Sequence, residues 1–70
     1  MSDEIDEMKA RIKKLSARAT NQKMNLHDLA EELPVDWPTI MTVAQETHDA
    51  YKALEEARAA LKEAEAKVAG

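Results

Sequence analysis

The seventy-residue chain has no cysteine and no phenylalanine, one glycine (Gly70), two prolines (Pro34 and Pro38), one tryptophan and one tyrosine. Without cysteine there are neither disulfides nor thiolate metal sites, and nothing calls for an oxidising compartment. With the lone glycine at position 70, no glycine-rich loop can cradle a phosphate. No apolar run approaches the roughly 20 residues of a membrane-spanning helix. No stretch alternates apolar and polar residues as a strand would. The opening Met1-Ser2-Asp3-Glu4 is acidic and lacks the basic start and apolar middle of a signal peptide, so a cytoplasmic protein is expected.

What is present is mostly Ala, Glu, Lys and Leu, the composition of long helices and coiled coils. Two runs keep strict three-four spacing. The first is Ile5, Met8, Ile12, Leu15, Ala19, Gln22, Leu26, Leu29 and Leu33. The second is Ile40, Val43, Thr47, Ala50, Leu54, Ala57, Leu61, Ala64 and Val68. They predict an all-α domain of two long antiparallel helices, over about 3–33 and 38–69, with a corner at 34–37. Lys62, Lys67 and Gly70 suit the end of the second helix.

The corner is legible residue by residue. Pro34 cannot continue a helix and pushes Leu33 out of helical dihedrals. Asp36 suits the N-cap of the second helix, its carboxylate accepting the Thr39 N–H, and Val35 with Ile40 fits a hydrophobic staple. Pro38 is tolerated in a first turn. So short a connection makes the helices antiparallel neighbours.

A hairpin of this size buries only one seam, which predicts that a second copy completes the core, as a homo-oligomer of four-helix-bundle type. Gln22 and Thr47 fall at the same level of the two seams, a polar layer able to fix register. Tyr51, Ala44 and Ala30 widen one apolar flank, where a second hairpin could pack.

The net charge of −4 conceals blocks. Every charge from Lys9 to Lys23 is positive, and acids lie on both sides of that stretch. Pairing of this block with Asp49, Glu55 and Glu56 of the second helix is expected. The block could instead bind nucleic acid, but its residues spread around the helix and no aromatic interleaves. No nucleophile–base arrangement stands out, and the adjacent pairs Glu31/Glu32 and Glu55/Glu56 do not face each other, so the chain is not expected to be an enzyme and no catalytic residue or cofactor is assigned. His27 and Glu31, four apart, could offer two ligands to a first-row metal, too few for a site on one helix.

The least generic stretch surrounds the corner. Met24 and Met41 fall on outer faces, where a soluble helix usually carries polar groups, and Trp37 stands at the bend. Asp28 and Glu31 lie at the negative end of the first helix, a placement its dipole does not reward. Flexible Met, an aromatic anchor and surrounding charge are the ingredients of an interface. Met24, His27, Asp28, Glu31, Trp37 and Met41 are therefore the candidate partner-binding residues.

The run Lys23-Met24-Asn25-Leu26-His27-Asp28-Leu29-Ala30-Glu31-Glu32-Leu33-Pro34, followed by Asp36-Trp37 and by 44–51, resembles the small Rop-like family encoded in nitrogen-fixation gene clusters, often called NifX-associated proteins. The resemblance covers about 15–54; beyond Ala57 the match is generic helix. It implies a helical hairpin, often paired into a four-helix bundle. It also implies an accessory role beside nitrogenase, whether on a component such as the molybdenum-iron protein or on a cofactor-assembly factor. The alternative is a Rop-like RNA-binding regulator acting through the basic stretch of the first helix. The plasmid regulator that names the fold is an architectural likeness and does not license that function.

Overall fold

The computed structural model describes the backbone of 2–69 and the side chains of 3–68. Gly70, assigned to the end of the second helix, lies outside the described residues. Helix α1 spans Ser2–Glu32 and helix α2 spans Ile40–Ala69, with a 3-10 turn at Trp37–Thr39 leading into α2. They form an antiparallel hairpin about 53 Å long and 14 × 13 Å across. Asp3 and Glu4 occupy the first turn of α1 and Lys67 the last turn of α2, each matching the sign its dipole end favours.

The two heptad runs become the seam. Ala19, Leu29, Ala50 and Leu54 are buried, and Ile12 and Leu15 pack against the Ala19–Ala50–Leu54 cluster. Small Ala19 and Ala50 at mid-length let the helices approach closely, and Leu54 fills the space between them. Most other seam residues are only half-buried, Ile5, Met8, Leu26, Ile40, Val43 and Leu61 among them. No large side chain is completely enclosed among the described residues. The seam is thus shielded from one direction only.

Leu33 departs from the expected pattern. Helix α1 ends at Glu32, and Leu33 is 42% exposed instead of closing the seam. The proline that follows it takes it out of the helix, and with it out of the seam.

The polar layer forms. The Thr47 hydroxyl donates to the Val43 carbonyl at 2.8 Å and lies 3.3 Å from the Gln22 carbonyl across the seam. The Gln22 side-chain Oε1 is shielded from solvent and accepts no hydrogen bond among the described residues. An unpaired buried acceptor costs about 1–3 kcal/mol.

Two substitutions follow. Leu54→Ala should cost about 3 kcal/mol, read as a fall in thermal midpoint, because its side chain fills the narrowest part of the seam; a loss below about 1 kcal/mol would mean that the seam is not the core. Gln22→Leu removes the unpaired acceptor and should raise the thermal midpoint while loosening the oligomeric state. A lower midpoint with an unchanged, single state would refute that role.

Candidate interaction surface at the hairpin tip

The turn is built from backbone hydrogen bonds. Val35 N–H donates to the Glu32 carbonyl at 3.0 Å, and Trp37 N–H to the Pro34 carbonyl at 3.3 Å. The Leu33–Pro34 peptide is cis, and Asp36 has a left-handed backbone with φ 59°. The expected Asp36 side-chain cap is not made. Instead, Thr39 donates both its N–H (2.9 Å) and its hydroxyl (2.7 Å) to the Asp36 carbonyl. Without a glycine to reverse the chain, Asp36 takes the left-handed position that Asp and Asn tolerate best, and this costs it the extended geometry of an N-cap. Val35, assigned to a staple with Ile40, is 58% exposed.

Met24, His27, Asp28 and Glu31 lie three and four apart along α1, on the side away from the seam. His27 Nε2 lies 3.6 Å from Glu31 Oε1 and its Nδ1 3.8 Å from Asp28 Oδ1, loose contacts between well-exposed side chains. Among the described residues no three His, Cys, Asp or Glu side chains converge as metal ligands. His27 and Glu31 by themselves offer two side chains on one helix face.

Across the bend, Trp37 is 63% exposed and Met41 78% exposed. Seven large hydrophobic residues are exposed among those described, and five of them, Met24, Leu33, Val35, Trp37 and Met41, belong to the tip and its flanking turns. Sequence reasoning found three of these five. Leu33 and Val35 were missed because each fitted a packing role, in the seam and in the staple. The signal available was Pro34, which removes both from regular helix.

The pairing expected for the basic block is not made. Among the described residues every ion pair joins neighbours within one helix, such as Arg58 with Glu55 at 3.4 Å, and none joins α1 to α2. Side chains at the outer edges of two helices point apart, so charges facing each other on a helical net need not touch. Asp49 is instead held below the usual carboxylate range by the Gln45 side-chain amide at 2.8 Å and, after it, by His48. No helix among the described residues is long and apolar enough to cross a membrane.

If Asp36 is a left-handed turn residue, Asp36→Gly should leave the thermal midpoint unchanged or raise it, worth up to about 1 kcal/mol. A fall of several degrees would restore the side-chain cap.

The geometry is that of a hairpin whose exposed large apolar side chains gather toward the bend, five of the seven among the described residues. The family model described as Rop-like matches residues 3–66. A UPF0437 protein of Azorhizobium caulinodans is 61% identical over 66 residues, covering 94% of each chain. A UPF0437 protein of Nostoc is 44% identical over 61 residues, covering 87% of this chain and 86% of its own. A relative from Frankia alni, named as a UPF0437 protein in the nifX-nifW intergenic region, is 51% identical over 41 residues, covering 59% of this chain and 50% of its own. No solved structure matches. A family match over almost the full helical hairpin, with relatives this similar, makes the chain a member of the Rop-like family.

Proposed function

We propose that this chain is a cytoplasmic, non-enzymatic accessory protein of nitrogen fixation. Its tip docks on a nitrogenase component, such as the molybdenum-iron protein, or on a factor that assembles the nitrogenase cofactor, and it self-associates when free. The observation that carries the reading is that five of the seven exposed large apolar side chains among the described residues lie toward one end of the rod. Such a patch on a small protein marks a contact surface. The relative named for the nifX-nifW region supplies the nitrogen-fixation context.

The chemistry of docking follows from the side chains. Trp37 would be the anchor, a rigid aromatic whose truncation at an interface costs about 2 kcal/mol or more. Met24 and Met41 adapt to the partner's shape. Asp28 and Glu31 make this end acidic, so the partner should offer a basic rim and association should weaken with salt.

The test is a pull-down with purified nitrogenase and assembly proteins. Trp37→Ala should weaken capture at least tenfold, with helicity and oligomeric state checked first because the residue sits at the bend. His27→Ala and Glu31→Gln, both away from the seam, should weaken it with the fold intact. If these leave capture unchanged while charge reversal of Lys9, Lys13 and Lys14 abolishes it, the contact lies on the basic stretch of α1. A salt-dependent shift of RNA by that stretch would move the assignment to the RNA-binding alternative.

A further inference from the structure

The chain has four methionines and no cysteine, so thioethers are the only sulfur it offers to an oxidant. The methionines with described side chains are placed unequally. Met8 lies in the seam and is half-buried. Met24 and Met41 lie on outer faces beside the bend, 54% and 78% exposed. The other apolar residues of the seam are Ile, Leu, Val and Ala, hydrocarbon side chains with no lone pair to oxidise.

The surroundings of the two exposed thioethers select the kind of oxidant. From Met24 to Tyr51 the chain carries Asp28, Glu31, Glu32, Asp36, Glu46 and Asp49 and no Lys or Arg. Such an end repels an anionic oxidant and leaves an uncharged peroxide free to approach. Met41 is the more accessible of the two. The side chains three and four positions from it, Trp37, Pro38, Ala44 and Gln45, are all uncharged. Met24 has His27 and Asp28 three and four positions on, so its sulfur is more crowded by polar groups.

We propose that Met41 and Met24 are modification sites, oxidised to the sulfoxide by a peroxide in the folded protein, and that this oxidation disables the tip for docking. With hydrogen peroxide the step balances without a further reactant. A sulfur lone pair attacks one peroxide oxygen, the O–O bond breaks and an S–O bond forms. Sulfur loses two electrons to the departing hydroxide. The proton of the transferred oxygen passes to that hydroxide, which leaves as water. A sulfoxide reductase reverses the change, returning two electrons and two protons and releasing the oxygen as water.

The effect depends on where each residue sits. Oxidation replaces a flexible apolar side chain with a polar, chiral one. On an outer helix face the new S–O group is hydrated, so the hairpin stands. Against a partner the same group has to give up its water, which is unfavourable unless a donor replaces it. At Met8 it would instead open the seam. The exposed thioethers thus take the oxidant where it changes a contact surface and not the fold. The docking half of this inference rests on the proposed function; the modification half does not.

The test uses the full chain and hydrogen peroxide alone. Tandem mass spectrometry over a time course should show Met41 gaining an oxygen first and Met24 next, each about tenfold faster than Met8, because susceptibility follows exposure. Helicity should be unchanged when both have reacted. Equal rates at all three, or loss of helicity as Met41 reacts, overturns the modification sites. The second stage repeats the pull-down with purified nitrogenase and assembly proteins. Capture by the oxidised chain should fall about tenfold and return after treatment with a methionine sulfoxide reductase. Met24→Leu combined with Met41→Leu keeps the apolar volume, and peroxide should leave whatever capture that variant shows unchanged. Undiminished capture by the doubly oxidised chain overturns the switch. So does a loss that survives the reductase or persists in the double variant, since the lesion then lies elsewhere. An untreated chain that captures nothing refutes the proposed function and the switch with it, while the oxidation rates still decide the modification sites.

Discussion

Two helices sharing one seam can bury only a few side chains, and the rest of this structure follows from that limit. The buried residues are Ala19, Leu29, Ala50 and Leu54. Ala19, Ala50 and Leu54 pack together at mid-length, where the small residues let the helices approach, and Leu29 is buried nearer the bend. Most other large seam residues, Ile5, Met8, Leu26 and Leu61 among them, are only half-buried. The chain has no aromatic core and no disulfide to compensate, so the hairpin itself supplies little more than this one seam.

This limit also divides the surface. The shaft carries shallow clefts lined by Met8 and Leu15 of α1 and by alanines of α2. The tip presents bulky, exposed side chains that the seam neither uses nor covers. An apolar tip supplies contact area and adaptability.

Much of this was legible in the sequence because helical periodicity is a strong signal when it persists over four heptads. Apart from Ser16, Ala44 and Ala53, the buried and half-buried positions fall on the spaced residues from Ile5 to Leu29 and from Ile40 to Ala64. The register was legible too, since Gln22 and Thr47 meet as their numbering implies. The failures lie at the bend and between charges. Leu33 continued the spacing and yet left the helix, because the proline after it outranks periodicity. Asp36 had the composition of a cap but was needed to reverse the chain in the absence of glycine. The basic block faced acids on a helical net without touching them, because long side chains at outer edges diverge. Of the tip, Met24, Trp37 and Met41 stood out as apolar residues without a seam to join. Leu33 and Val35 did not, because each had a plausible packing partner that the turn withdrew.

The central claim is that the hairpin is stabilised by burying its open side against another chain. The thermal midpoint of the free protein, measured across a hundredfold range of concentration, tests it most directly. Coupled folding and association make the midpoint rise with concentration, by several degrees over that range, because dilution favours the separated, unfolded chains. A midpoint independent of concentration, in a fully helical protein, would show that the single seam suffices and would contradict the account.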